Sequence, residues 1–204
     1  MHITWLGKTT IKIQTKNVDE DIVTLVDAYR PETGEFPRSI GANIALFSRG
    51  EKDAVTLTND PFIIETLGEF DTKGLLITSV AGPNGTTIFK LSVEGINIVH
   101  LGILNQKLDD TMIEAIGRID ILILPVGGGT QYLSPSDAAQ TVTTLEPRIV
   151  IPVGFSCDTD PQAQSIESFI KELGIKPETT DKKFSIKAKD LPAEETKLVV
   201  LEKV

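Results

Sequence analysis

The chain has 204 residues, 40% of them hydrophobic, and its 20 Lys and Arg against 29 Asp and Glu give a net charge of −9. That balance argues against non-specific binding to nucleic acid, where phosphate affinity is built from Lys and Arg, and no apolar run approaches the ~20 residues that cross a bilayer. A single cysteine rules out an internal disulfide and suits a reducing cytoplasm, and two histidines, His2 and His100, cannot furnish a multi-imidazole metal centre.

The chain opens directly in a strand pattern, so no secretory signal is expected. Ile3 to Leu6, Thr10 to Gln14 and Ile22 to Val26 read as short strands, with turns at Gly7-Lys8 and at Lys16 to Asp21. Trp5, the only tryptophan, reads as a core residue. Ala28 to Gly41 carries Pro31, Gly34 and Pro37 and reads as a surface loop. Asn43 to Phe47 is a buried strand followed by the polar loop Ser48 to Lys52, and strands are expected within Asp53 to Thr58 and at Phe62 to Glu65. Gly68, Glu69 and Phe70 read as a turn. Leu75 to Val80, Thr87 to Ser92 and Ile96 to Leu101 continue the β-rich half, joined by turns at Gly82 to Gly85 and Glu94-Gly95. A helix is expected from an Asp109 or Asp110 cap to Ile116, closed by Gly117.

The stretch from Ile119 to Phe155 organises the rest. Ile119 to Pro125 is a nearly continuous apolar run, as in a strand covered on both faces. Gly127, Gly128 and Gly129 then turn the chain, and their spacing fits neither a P-loop nor a dinucleotide fingerprint, which favours a plain turn. Ser134 at the cap, Pro135 at the first helical position and Asp137 three residues on mark a helix start. Ala138, Ala139, Val142 and Leu145 form its apolar face, Pro147 ends it, and Arg148 to Val153 is a second buried strand. Such a unit makes the two strands parallel, with the following loops, Gly127 to Leu133 and Gly154 to Asp160, on one edge. A third helix is expected from Asp160-Pro161 to Leu173, then strands at Phe184 to Lys189 and Lys197 to Leu201. One domain is expected over residues 1–204.

The order of strand-end segments is specific. Met1 to Gly7, Thr24 to Asp27, the loop at Ser48, Leu67 to Phe70 with Lys73-Gly74, Ile98 to Gly102, Leu124 to Gly128 and Leu145 to Pro152 together resemble the metallo-β-lactamase fold superfamily. Within it they resemble the short prokaryotic metal-dependent hydrolases related to ascorbate-6-phosphate lactonase. The resemblance implies an α/β fold, a four-layer αββα sandwich of two mixed sheets, with the active site on one edge between them. It also shows departures. Lys8 stands where the family has a histidine after the glycine, and Arg49, Gly50, Glu51, Lys52, Asp53 and Ala54 stand where it reads His-x-His-x-Asp-His. Ile103 replaces the metal-bridging aspartate, Gln106 a histidine, and Gly154 the last metal histidine. His100 is kept at a position that is not normally a ligand.

These residues leave several readings open. Glu51, Asp53 and Glu69 could form an oxygen-ligand site for Mg²⁺ or Mn²⁺, or Glu51 and Asp53 could be solvated or paired carboxylates. Lys8 and Arg49 either pair with Glu51 or Asp53, or attract an anionic ligand. Cys157 reads as an inert thiol, since His100 is the only conceivable base for it. The reading adopted on these grounds is a pseudoenzyme lacking the zinc motif, with no catalytic residue and no cofactor. It would bind a small anionic ligand or a protein partner in the cytoplasm, with no nucleic acid or membrane and with a homo-oligomer allowed. The alternatives are a hydrolase with the altered carboxylate site, and a structural subunit whose pocket Phe47 and Ile103 close.

Overall fold

The computed structural model describes residues 1–17, 20–180 and 182–204, and of Thr179 and Thr180 only the backbone. In chain order the strands begin with β1 (His2–Gly7), β2 (Thr10–Lys16), β3 (Asp21–Val26), β4 (Ser39–Gly41), β5 (Ile44–Leu46), β6 (Thr56–Thr58) and β7 (Phe62–Ile64). There follow β8 (Gly68–Thr72), β9 (Leu75–Ala81), β10 (Thr87–Val93), β11 (Ile96–His100), helix α1 (Asp110–Ile116), β12 (Ile121–Pro125), helix α2 (Pro135–Leu145) and β13 (Ile149–Val153). Helix α3 (Ile166–Leu173), β14 (Pro177–Thr180), β15 (Phe184–Ser185) and β16 (Lys197–Leu201) complete the chain.

Two mixed sheets result, in the orders β15-β1-β2-β3-β5-β7 and β14-β16-β13-β12-β11-β10-β9-β8, with β4 and β6 paired separately. Strand alternation decides which side chains meet. Along β3, Ile22 and Val26 enter the core between the sheets, while Leu25 faces a second apolar cluster with Tyr29, Ala42, Phe47 and Val55. The segments flanking β5, residues 28–42 and 47–58 with β4 and β6, thus cover the outer face of the smaller sheet. Helix α1 lies against β9, and α2 against β12 and α3. This is a mixed α/β architecture of two sheets, as the resemblance implies.

The central unit forms as its signals require. Ser134 caps α2, its hydroxyl accepting from the Asp137 N–H at 3.1 Å, and β12 and β13 pair in parallel. Asp109 caps α1 by accepting from the Met112 N–H at 2.8 Å.

Four expectations need correction. Gly68 to Phe70 is the start of the edge strand β8, because Glu69 and Phe70 pair with Thr78 and Ile77 on β9. The third helix starts at Ile166, not Asp160. The Asp160 and Gln164 N–H groups donate to Cys157 O and Gly127 O, which hold that stretch as a turn. Only Phe184–Ser185 of the Phe184 to Lys189 stretch is strand, and Pro177–Thr180 is a strand the pattern did not announce, since Pro and Glu are poor strand formers. The turn expected at Lys16 to Asp21 falls partly on Val18 and Asp19, outside the described residues.

Candidate functional site

A cleft of about 640 Å³ opens at the edge where the strand-end loops meet. Lys8, Thr9, Asp27, Tyr29, Arg30, Glu32, Arg49, Asp53, Ile103 and Tyr132 contribute to its wall. Each is placed by local backbone chemistry. Lys8 occupies the left-handed turn between β1 and β2 at φ 46, and its carbonyl accepts from the Trp5 indole N–H and the Gly154 N–H, both at 2.8 Å. The Arg30 N–H donates to Asp53 O at 2.8 Å. Arg49 is held twice by Tyr29: its N–H donates to the phenol oxygen at 3.0 Å, and its guanidinium lies 4.4 Å from the ring centroid.

Asp27 forms the floor at the end of β3 and is 1% exposed. Its carboxyl accepts from the Ser48 N–H at 2.8 Å and the Ser48 hydroxyl at 2.9 Å. Burial pushes its pKa up, against the opposing pull of His100 and of hydrogen bonds from Ser48 and Thr9. His100 lies fully buried beside it. The Gly102 N–H donates to Nδ1 at 3.0 Å, so Nδ1 is unprotonated, and the Nε2–H donates to Thr9 O at 2.9 Å. Burial lowers the His100 pKa, so both members of the pair are driven towards their neutral forms.

Tyr132 fills the space beside Gly154, where a Cβ would stand 3.1 Å from its ring. Its hydroxyl donates to Asp160, and burial raises its pKa. Gly127 packs against the Gly154 carbonyl, a close backbone approach that a Cβ would block, while Gly128 and Gly129 turn the chain at φ +66 and +71.

Lys8, Arg49, Asp53 and Ile103 therefore share one cleft, with Gly154 behind it and His100 beneath. Glu51, Glu69, Gln106 and Cys157 do not line it. The exposed Glu51 donates its N–H to the Glu65 carboxylate at 2.9 Å, and Glu69 sits on the β8 edge strand. The proposed carboxylate trio is thus dispersed, and among the described residues no group of three His, Cys, Asp or Glu side chains could hold a metal. Nor do Lys8 or Arg49 form an ion pair with Asp53 or Glu51 among the described residues. Asp53 and Glu51 are exposed and solvated, which removes the driving force for pairing. Cys157 has its sulfur 3.1 Å from the Thr159 hydroxyl, and His100, with both ring nitrogens engaged, is no base for it. Phe47 is buried in the second apolar cluster and leaves the cleft open.

Sequence reading missed Tyr29, Arg30, Glu32, Gln131 and Tyr132, all on loops. Asp27 carried a signal, a carboxylate ending a buried apolar strand, but that signal does not distinguish a floor residue from a cap.

The comparisons with known proteins agree on the superfamily. A family model for the "Beta-lactamase superfamily domain" matches residues 2–154. A Thermococcus kodakarensis protein named UPF0173 metal-dependent hydrolase is 25% identical over 84% of this chain and 83% of its own. A Methanopyrus kandleri protein of the same name is 23% identical over 86% of this chain and 94% of its own. The crystal structure of a Thermotoga maritima protein of the metallo-β-lactamase superfamily superimposes with a TM-score of 0.82, at 25% identity and 98% coverage of both chains. The names of these relatives overturn the pseudoenzyme reading: the chain's similarity runs to hydrolases, and nothing in it points to a non-catalytic branch.

No helix is long and apolar enough to cross a membrane among the described residues. The metal named for the relatives finds no matching donor set here. The cleft wall has cations, the Ile103 side chain and the Tyr132 ring where ligands would be needed, and both His100 nitrogens are committed. No step is therefore assigned to a metal.

Proposed function

Since this chain belongs to the β-lactamase superfamily, we propose that it is a hydrolase acting on a small-molecule ester in the cleft above Asp27. The relatives' shared name supports the reaction class. The observation that carries the reading is the buried Asp27 carboxyl on the floor of a cleft walled by Lys8, Arg30 and Arg49. Desolvation lets Asp27 keep its proton to a higher pH than a surface carboxyl does, so it donates that proton to the leaving oxygen and recovers one from the attacking water. The cationic wall stabilises the negative charge that develops as the ester opens. A cytoplasmic setting belongs to the same proposal, supported by the lone Cys157 thiol.

The test is turnover of a panel of small carboxylate esters, lactones and phosphate esters by the purified protein, with and without added divalent metal. Asp27→Asn keeps the shape and the contacts to Ser48 while removing the titration. It should lower kcat at least ~100-fold and abolish the alkaline limb of the pH–rate profile, where the parent's Asp27 gives up its proton. A parent protein inert on the whole panel, or an Asp27→Asn protein as active as the parent with the same pH profile, would overturn the reading.

A further inference from the structure

We propose that Lys8, Arg30 and Arg49 form an anion-binding site that takes the phosphate group of a small-molecule substrate. This rests on reading the cleft as the substrate site of the hydrolase.

Three observations support it. First, the cations converge on one cleft in a chain of net charge −9, where carboxylates outnumber them. Yet among the described residues none of the three makes an ion pair, although Glu32 and Asp53 line the same wall. Second, the backbones of all three are pinned before any ligand arrives. The Lys8 carbonyl takes two hydrogen bonds, the Arg30 N–H is bound to Asp53 O, and Arg49 is fixed through the Tyr29 phenol and ring. Only the Arg49 head is itself held, over the Tyr29 ring, and a preorganised donor loses less entropy on binding. Third, the burial of Asp27 favours its neutral form, which removes a negative charge from the floor where the anion would rest.

Two forked guanidinium groups and one ammonium suit a compact head with several oxygens and more than one charge. A phosphate fits that description better than a carboxylate, which a single arginine satisfies. Lys8 and Arg49 stand where the sequence resemblance places metal-binding histidines. Here side-chain charge would hold the anion that a bound cation holds elsewhere.

Isothermal titration of the full chain with inorganic phosphate and with pyrophosphate, in chelator, tests this, with acetate as the monoanion control. Saturable binding is expected for phosphate and pyrophosphate and not for acetate, weakening as salt rises. Arg30→Ala and Arg49→Ala should each weaken it about tenfold or more, and Arg49→Lys should recover part of the loss. The distant Lys171→Ala should change nothing. Unfolding midpoints near the parent's would show that each variant folds. No binding by the parent, binding equally strong in all variants, or binding that appears only when Zn²⁺ replaces chelator would each overturn the site. The two proposals fail separately. Phosphate binding without turnover of any ester keeps the site and removes the hydrolase, whereas turnover of neutral esters without phosphate binding does the reverse.

Discussion

Replacing Gly154 by alanine probes the packing behind the cleft. Gly154 has φ +62, and an added Cβ would stand 3.1 Å from Tyr132 Cε1 and 3.2 Å from Cδ1 and Cζ. The left-handed backbone costs an L-residue ~1–2 kcal/mol. Displacing a packed ring costs ~1–3 kcal/mol, and the Tyr132 bond to Asp160 is at risk for about 1 kcal/mol more. The expected loss is ~2–6 kcal/mol, a large share of the ~5–15 kcal/mol that holds such a domain together. Urea unfolding at equilibrium measures it. The cause can be isolated with Tyr132→Ala, which removes the ring but not the backbone strain. In the double variant the combined cost should fall short of the sum by ~1–2 kcal/mol. A Gly154→Ala protein within ~0.5 kcal/mol of the parent, or a strictly additive pair, would refute the claim that Tyr132 fills the space of a side chain at 154. The same contact means that a histidine placed at 154 must first expel Tyr132.

Two further tests concern ionisable groups. Asp53→Ala should cost ~1 kcal/mol or less in urea unfolding, because the side chain is exposed and unpaired and only the φ +69 backbone is strained. A loss above ~3 kcal/mol would restore the reading in which Asp53 pairs with Lys8 or Arg49. His100 has its folded pKa held below 6.5 by burial, so its contribution to stability is complete above pH 6.5 and is lost as pH falls towards the folded value. Asp27, raised from 3.8, acts in the opposite sense and gains as pH falls. The stability gap between the parent and His100→Gln should therefore shrink from roughly pH 7.5 to pH 5, since only the parent loses the imidazole contribution. A gap independent of pH would show that His100 does not titrate differently on folding.

What the sequence determined is the part written in nearest neighbours. The Ser134 and Asp109 caps, the apolar runs of β12 and β13 and the turn glycines specify backbone and burial within a few residues, so the central unit and most strands were legible. The placing of Lys8, Arg49, Asp53 and Ile103 on one edge came from the family resemblance that the ordered strand ends carry. The edge strands β8 and β14 were not legible, because both are short and largely polar in sequence and each pairs along only one side, with the sheet beside it. The charge pattern of the cleft was decided by tertiary structure alone. Whether Arg49 meets Asp53 or the Tyr29 ring, whether Asp27 is solvated or sealed under Ser48 beside His100, and whether the room at Gly154 stays open or holds Tyr132 all depend on groups far apart in the chain. Desolvation and cation–π contact arise only where the fold brings such groups together, so no local pattern encodes them.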